Sequence, residues 1–293
     1  MTVYDATMFF NENDLYEIRL NALKDFVDYF IVVEAGETHT GIKKPLNFDH
    51  ERFAEFKDRI IYRSFDSFDE VMKNHPELMD SYTTSERGYG HNTPDWTRDN
   101  VQGNYVYKVL KDIGAQDDDI VYVSCCDEII KKSTFDTCKT IIENNPVDNG
   151  NEHIFMFRLW LYIYKFNLLG QSWNESDTTA MLAQFKTFKK TLPATLRGKR
   201  TCTQVIDDAG WHFGYMDPGG GERVLAKYKA WAHAKDPLNG KSRFEQDTAE
   251  EALETLFNWF PKIHPVAVTA ETHPQYIVDN LEKFQNYLID WEE

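Results

Sequence analysis

The sequence predicts an α/β fold, because strand-like and helix-like stretches alternate along its first half. Runs rich in β-branched and aromatic residues are typical of buried strands, whereas apolar residues that recur every three to four positions are typical of helices. Four strand-like runs occur, at 2–10, 29–35, 60–65 and 120–124. Since helices and turns separate them, we expect crossover connections and a parallel or mixed sheet.

Two helices are expected between these strands. The segment 12–26, ENDLYEIRLNALKDF, carries apolar residues at helical spacing behind a candidate capping box formed by Asp14 and Glu17. The second helix is expected from about Arg98 to Ile113, and the turn-forming GAQDDD then leads into the fourth strand.

The second half of the chain is strand-like at first and helical later. HIFMFRLWLYIY (153–164) predicts one aromatic strand, and GWHFGYM (210–216) predicts a shorter one. Helical periodicity then appears in three stretches, GERVLAKYKAWAH, DTAEEALETLFNWF and PQYIVDNLEKFQNYLIDW. No internal repeat or long linker interrupts the chain, so we expect a single domain over 1–293 with one mixed central sheet and a helical C-terminal flank, 236–293.

The composition argues against two classes of partner. The 293 residues include 32 basic and 48 acidic side chains, which gives a net charge of −16. Nucleic acids and anionic membranes are recognised by basic faces, so neither is expected as a partner. No run approaches the ~18 apolar residues of a membrane helix, and the first residues show no signal peptide.

The cysteines indicate a reducing compartment. The four of them, at 125, 126, 138 and 202, form neither a CxxC pair nor a zinc-binding pattern with histidine. The adjacent Cys125 and Cys126 would bridge each other only with strain. We therefore expect reduced thiols in a soluble, cytoplasmic protein.

The fourth strand runs directly into two cysteines and two acids. In α/β proteins the carboxyl end of a central strand is where ligands are held, so Asp127 and Glu128 are candidates for a metal or substrate site. The alternative is that these acids only cap the next helix. His212, within GWHFGYM, is a candidate ring-nitrogen ligand for a metal, or else a histidine packed in the core.

Two polar segments are further candidates for ligand binding. VEAGETHTG places Glu34 and Thr38 at and beyond a strand end, and WTRDNVQGN places Arg98 and Gln102 on one side of a helix. A guanidinium suits a diphosphate, and an amide suits a base or a sugar hydroxyl. Each segment has an ordinary structural explanation as well. The glycine-rich DPGGGER (217–223) is a weak anion-binding signal, while His39, His233 and His273 are expected at the surface.

Six segments, taken in order, resemble glycosyltransferase family 17. They are FFNENDLYEIRLNAL, VDYFIVVEAGETHTGIKKPLNF, RFAEFKDRII, WTRDNVQGN, DDDIVYVSCCDEI and DAGWHFGYM. The similarity extends from about Tyr4 to about His233, and a looser likeness, HPQYIVDNLEKFQNYL, follows near the end. Each segment is weak by itself, but six in the same order are specific.

The resemblance implies a nucleotide-diphosphosugar transferase of the GT-A type, with the donor at the strand ends and a divalent ion, Mn²⁺ or Mg²⁺, at an Asp-x-Asp motif. The family's motif is expected to read like SDVDEIP, whereas this chain reads SCCDEII. Asp127 matches the second aspartate and Glu128 the acid after it. Cys125 replaces the first aspartate, and Ile130 replaces the proline. Asp127 and His212 are the expected metal ligands.

The implied reaction is the inverting transfer of a sugar, N-acetylglucosamine, from a UDP-sugar to a hydroxyl of a glycan or glycoconjugate. Asp208 is the expected base, with Glu128 in support and Asp207, Glu175 or Glu222 as alternatives. The residues expected to bind the donor are Glu34, Thr38, Arg98, Gln102, Cys125 and Asp127.

Different parts of the chain are expected to bind the donor and the acceptor. Residues 1–130 are expected to bind the nucleotide-sugar, and 131–235 to bind the acceptor and complete the metal site. A microbial or viral enzyme of the cytoplasm is the expected setting, and the sequence indicates no oligomeric state. Two alternatives remain open: a non-catalytic protein that binds nucleotide-sugars or carbohydrates on the same fold, and a metal-dependent phosphohydrolase.

Overall fold

The computed structural model describes residues 1–80, 94–145, 152–178, 180–234, 237–238, 241–242 and 245–290. The described strands are β1 (Val3–Phe9), β2 (Tyr29–Ala35), β3 (Ile60–Phe65), β4 (Ile120–Cys125), β5 (Glu128–Ile130), β6 (Ile154–Phe157), β7 (Trp160–Ile163), β8 (Leu168–Gln171), β9 (Met181–Gln184), β10 (Gln204–Ile206), β11 (Gly210–Gly214), β12 (Pro237–Leu238), β13 (Lys241–Ser242) and β14 (His264–Pro265). The described helices are α1 (Asn13–Leu23), α2 (Phe68–Asn74), α3 (Pro94–Asp112), α4 (Lys132–Asn144), α5 (Phe185–Lys190), α6 (Pro193–Lys199), α7 (Glu222–Ala230), α8 (Ala249–Trp259) and α9 (Gln275–Val278).

The main sheet has seven strands in the order β10-β6-β9-β4-β1-β2-β3. Strands β1 to β4 are mutually parallel, and β9 runs antiparallel between β4 and β6. The prediction of an α/β fold with a mixed sheet is therefore confirmed. The four strands predicted in the first half form its parallel part, which is apolar on both faces because helices cover both.

The two faces of this sheet bury different helices. Phe30 and Val32 of β2 pack in the cluster that contains apolar residues of α1, while the alternate residues Ile31 and Val33 pack in the cluster that contains Val106 of α3. The period of two along the strand thus matches the period of 3.6 along each helix.

The chain order creates a crevice at one edge of the sheet. From β1 the strands proceed to β2 and β3 on one side, and the chain then returns through α3 to β4 on the other side of β1. The carboxyl ends of β1 and β4 therefore diverge into connections on opposite sides. Ligands of open α/β sheets bind at such a reversal of strand order.

A second sheet, which the sequence did not predict, closes this crevice. It has five strands in the order β14-β8-β7-β11-β5. Only two residues, Cys126 and Asp127, separate β4 from β5. Strand β5 pairs antiparallel with β11, so that Glu128 lies opposite His212. The acid at the end of the fourth strand is therefore the first residue of another strand rather than a helix cap.

The aromatic segment 153–164 was expected to form one strand, and this prediction is wrong. Strand β6 belongs to the seven-stranded sheet, and β7 belongs to the five-stranded sheet. The chain changes sheets at Arg158, whose backbone N–H donates to Ile206 O. Because of this break, the apolar side chains of β6 and β7 are buried on two different sheets. Hydrophobic periodicity along the chain does not reveal such a change of sheet.

Tertiary contacts also overrule two local predictions at the termini. Asp14 and Glu17 do not form a capping box on α1, since both carboxylates accept hydrogen bonds from tyrosines of the C-terminal segment. That segment was expected to be one helix but forms only α9 and a 3₁₀ turn at Gln285–Tyr287, with Trp291 outside the described residues. Contacts with α1 decide its path instead. The helices predicted around α7 and α8 are confirmed.

Two findings concern the state of the cysteines and a possible membrane span. All four cysteines are free. Within the described parts of the chain, no helix combines the length and the apolar character needed to cross a bilayer.

His273 was expected at the surface, and this prediction is wrong. It is 1% exposed, and its ring lies 4.6 Å from the ring of Tyr162. Its Nε2–H donates to Phe166 O over 2.8 Å, and its Nδ1 lies 2.8 Å from the hydroxyl oxygen of Thr272. Burial lowers the pKa of this imidazole to about 4, against the main-chain carbonyl that favours the protonated ring.

His273 is therefore expected to make the fold sensitive to acid. Its pKa is lower in the folded chain than the ordinary 6.5, so the unfolded chain binds more protons between these values. The contribution is fully present above pH 6.5 and is lost as the pH falls to about 4, by about 3 kcal/mol in all. Urea unfolding over this range should show a shallower pH dependence in His273→Gln than in the wild type. The exposed His264→Gln variant should keep the wild-type slope, and equal slopes for all three proteins would contradict the prediction.

Candidate active site

A cavity of about 1280 Å³ opens at the carboxyl ends of β1, β2 and β4. Its other walls come from α3, α6, α7 and β11, so both sheets contribute to it. Of the residues predicted to form a site, those that line this cavity are Thr38, Gln102, Cys125, Asp127, Glu128 and His212.

A buried arginine shapes the turn between β4 and β5. The Arg19 side chain, from α1, is 0% exposed and donates from Nε and Nη2 to both carboxylate oxygens of Asp5, at 2.7 and 2.5 Å. Its Nη1 donates to the carbonyl oxygens of Cys125 and Glu128, at 3.0 and 2.5 Å. One guanidinium thus gathers the carbonyls of the turn inward, and the side chain of Asp127 faces the cavity.

Sequence analysis missed Arg19, although the sequence carries a signal for it. Arg19 sits four residues from Leu15 and four from Leu23, on the apolar side of α1. An arginine in a buried stripe needs a charged partner. The nearest acid to Arg19 that lies within a strand-like apolar run is Asp5, and this marks it as the candidate partner.

Asp127 is the most strongly perturbed acid in the cavity. Its carboxylate is buried, and Oδ2 lies 3.1 Å from Lys227 Nζ and 3.6 Å from His212 Nε2. Burial by itself would raise its pKa, but the Lys227 ammonium and the His212 ring outweigh burial and hold the pKa well below its usual range. In return, Asp127 raises the pKa of His212 against the effect of burial. Asp127 is thus a fixed negative charge at the crevice.

Glu128 and Cys125 form the second half of the turn. Glu128 Oε2 accepts a hydrogen bond from the Cys125 backbone N–H at 2.7 Å. Arg197 of α6 reaches both residues, with Nη2 2.9 Å from Cys125 Sγ and 3.3 Å from Glu128 Oε2. Burial raises the pKa of the Cys125 thiol to about 12 despite the nearby guanidinium. The Cys125 side chain is therefore uncharged at neutral pH.

Two of the predicted donor-binding residues line the cavity from the other side. Gln102 donates from Nε2 to Val33 O at 3.0 Å, and its Oε1 lies 2.8 Å from Nε2 of His39. Thr38 Oγ1 accepts the backbone N–H of Ile42 at 3.0 Å. These bonds fix the loop after β2 against α3 and give this wall a polar surface.

Three predicted site residues, Glu34, Arg98 and Asp208, do not line the cavity. Glu34 is fully buried and accepts hydrogen bonds from Lys44, from Tyr62 and from two backbone N–H groups, so it organises the loop after β2. Arg98 donates to the carbonyl of His39 at 3.0 Å and braces the same loop. Neither is among the residues that line the cavity.

Asp208, the predicted base, also lies outside the cavity. Its carboxylate accepts a hydrogen bond from Lys131 at 2.6 Å and from the Trp160 indole at 2.5 Å, and it is exposed. Asp208 occupies a turn before β11 with a φ of 49°, and its carboxylate is bound by Lys131 and Trp160 outside the cavity lining. The alternatives Asp207, Glu175 and Glu222 do not line the cavity either.

Lys227 and Arg197 were not singled out by the sequence. Lys227 was only one of several basic residues in a helical stretch, and Arg197 lies in a basic segment typical of an exposed helix. In the structure Lys227 Nζ lies 5.0 Å above the ring of Tyr215 and 5.8 Å above the ring of Trp231. Both cations line the cavity beside the acidic turn. Only the packing of α6 and α7 against the crevice brings them there.

Two side chains are suited to a divalent ion. Asp127 Oδ1 is buried and has no hydrogen-bond partner in the part of the chain that the structure describes, and His212 offers a ring nitrogen beside the same carboxylate. Within the described residues, no three His, Cys, Asp or Glu side chains converge on one point. The pair therefore fits an ion that arrives with oxygen ligands of its own, as a diphosphate-bound ion does.

The site thus has the features of a ligand-binding site in an α/β enzyme, namely a crevice at a reversal of strand order with fixed charges at its centre. The model of glycosyltransferase family 17 matches residues 1–290, and the chain belongs to this family. No curated protein matches the chain. The protein is therefore a glycosyltransferase, and the cavity is its candidate active site.

Proposed function

We propose that this glycosyltransferase moves N-acetylglucosamine from a UDP-sugar to a hydroxyl of a glycan or glycoconjugate, with inversion and with Mn²⁺ or Mg²⁺. The observation that carries the proposal is the turn of Asp127 and Glu128 at the strand-order reversal, with His212 opposite. The parallel strands that end at this cavity, within a mixed sheet, support a GT-A type fold for the chain.

The diphosphate of the donor is proposed to lie beside Asp127. Departure of the nucleotide leaves negative charge on the diphosphate, and a cation must stabilise it in the transition state. Asp127 Oδ1 and His212 would hold a divalent ion here, and that ion would supply Lewis-acid stabilisation. Arg19 has an indirect part, because it fixes the carbonyls of the turn and so the direction of the Asp127 carboxylate.

The nucleoside is proposed to lie against the loop after β2. Thr38 and Gln102 give that wall of the cavity hydroxyl and amide groups. Glu34 and Arg98 contribute by holding the loop in place rather than by touching the ligand. Within this proposal residues 1–130 bind the nucleotide-sugar, and 131–235 bind the acceptor and complete the metal site. The flank from 236 also takes part, because Trp259 and Phe260 line the cavity.

The acceptor hydroxyl must lose its proton to a base that reaches the cavity. Asp208 lies outside it, so the proposal passes to the carboxylates that line it. They are Glu12, Glu37, Asp99, Asp127, Glu128 and Asp177. All but one of these carboxylates are already paired: Asp127 with Lys227, Glu128 with Arg197, Glu37 with Lys43, Asp177 with Arg200, and Asp99 with the ring of His39. Among the described residues Glu12 makes no ion pair, and its carboxylate accepts only backbone N–H groups, so Glu12 is the better candidate base.

The proposal is tested by incubating the protein with a panel of UDP-sugars, with Mn²⁺ or with EDTA, and measuring the UDP released. We expect release from UDP-N-acetylglucosamine above the other sugars, and more in Mn²⁺ than in EDTA. Binding without turnover would favour a non-catalytic protein on this fold. Cleavage of simple phosphoesters instead of UDP-sugars would favour a phosphohydrolase.

We further propose that the protein works in a reducing compartment, the cytoplasm of a microbe or of a virus-infected cell. The support is that all four cysteines are free, with Cys125 and Cys126 adjacent beside the cavity. Thiol titration of native and denatured protein from its source should give four thiols in the denatured state. A disulfide in the native protein would contradict this.

Cys125→Asp should change the affinity for the donor. The aspartate would add a second carboxylate to the same turn as Asp127 and so strengthen the attraction of the site for a divalent ion, and we expect UDP to bind about tenfold more tightly in Mn²⁺, about 1.4 kcal/mol. In EDTA we expect weaker binding, since the new carboxylate adds negative charge. Calorimetry measures both, and Cys202→Asp, which adds the same charge outside the cavity lining, is the control. Equal affinities for Cys125→Asp and the wild type under both conditions would contradict the prediction.

A further inference from the structure

Both acids of the turn are already paired with a cation of the protein. Lys227 Nζ lies 3.1 Å from Asp127 Oδ2, and Arg197 Nη2 lies 3.3 Å from Glu128 Oε2. The two cations come from different helices, α7 and α6, and stand on either side of the turn. Each is only partly buried, with 25% and 21% of its side chain exposed. The charges of the turn are therefore balanced, but the cations are the more exposed members of both pairs, so an anion in the cavity can reach two fixed cations.

Position 125 affects how much positive charge Arg197 offers. Cys125 Sγ lies 2.9 Å from Arg197 Nη2. An aspartate there would be a second carboxylate partner and would neutralise the guanidinium. The thiol carries no charge, so it does not neutralise Arg197 as a carboxylate at this position would, and a guanidinium has several donors suited to phosphate oxygens.

Lys227 is held in place before any ligand arrives. Its ammonium rests over the rings of Tyr215 and Trp231, at 5.0 and 5.8 Å, while it donates to Asp127. Cation–π contacts and the ion pair together limit the rotamers of an otherwise flexible side chain. A counterion fixed in this way binds an anion at a smaller entropic cost than a mobile surface lysine.

We propose that Lys227 and Arg197 are the counterions of the donor's diphosphate, so that the nucleotide binds to this cavity without a divalent ion. This rests on the proposed function, because it assumes a nucleoside-diphosphate donor. The residue beside Arg197 at position 125 is an uncharged thiol, which leaves the guanidinium's charge available to a phosphate. The divalent ion then serves the chemical step rather than the binding of the nucleotide.

The experiment is calorimetric titration of uridine, UMP and UDP in EDTA and, separately, in Mn²⁺. For the wild type in EDTA we expect UDP to bind at least about tenfold more tightly than UMP, since the second phosphate meets both cations. Lys227→Met should reduce this advantage of UDP over UMP about tenfold and leave uridine affinity unchanged. Lys227→Arg should restore most of it. Lys229→Met, on the same helix but outside the cavity lining, is the matched control.

The ratio of UDP to UMP affinity separates a diphosphate-binding role from a structural one. A variant that merely damages the site would weaken uridine, UMP and UDP alike, and that outcome overturns the inference. It is also overturned if wild-type UDP binds no more tightly than UMP in EDTA but does so in Mn²⁺, a result that leaves the proposed function intact. If UDP binds under neither condition, the proposed UDP-sugar donor fails together with it.

Discussion

Asp127→Asn is expected to lower kcat/KM for sugar transfer from the UDP-sugar by about a hundredfold to a thousandfold. The substitution keeps the size and shape of the side chain, so the turn held by Arg19 should stay in place. It removes the charge that both His212 and Lys227 face at 3.6 and 3.1 Å. It also replaces one carboxylate oxygen of the proposed metal site by an amide nitrogen, which is not a metal ligand.

The measurement is steady-state transfer or UDP release with Mn²⁺, alongside thermal unfolding to show that the variant is folded. Asp207→Asn is the control, because Asp207 is an exposed aspartate that pairs with Arg158 outside the cavity. It should keep kcat/KM within about twofold of the wild type. If Asp127→Asn retains activity within about tenfold, the acidic turn is not where catalysis takes place.

Arg19→Met is expected to lower the free energy of unfolding by about 3–5 kcal/mol. The variant leaves the Asp5 carboxylate buried without its cation, and both members of this pair are 0% exposed. It also removes the donor to the carbonyls of Cys125 and Glu128. Methionine fills much of the arginine's volume, so the loss reports uncompensated charge and unpaired carbonyls more than a cavity.

Urea denaturation of the wild type and the variant measures the difference. Arg158→Met serves as the control, because its ion pair with Asp207 is exposed on both sides and should contribute less than about 1 kcal/mol. The double variant Asp5→Asn with Arg19→Met should recover part of the loss, since it removes the uncompensated charge. A loss below about 1 kcal/mol for Arg19→Met would show that this pair does not hold the turn.

The sequence identified several residues of the site but not the contacts that they make with one another. The acids after a buried strand, and a histidine within a later strand, were predicted to meet, and the pairing of β5 with β11 places Glu128 opposite His212. That expectation came from strand ends, whose location in a sheet follows from local patterns. Asp208 was chosen by its distance along the chain from His212, and the structure places it in a turn outside the cavity lining.

By itself, the sequence determined the parallel strands β1 to β4, the helices α1 and α3 between them, and the acidic turn at their carboxyl end. These features depend on hydrophobic periodicity over about a dozen residues, and this periodicity can be read directly from the sequence. Only the tertiary structure decided that 153–164 serves two sheets and that His273 is buried. It alone placed Lys227 and Arg197 beside Asp127 and Glu128, because the partners of a charged side chain are set by how distant elements pack, and no local pattern records that.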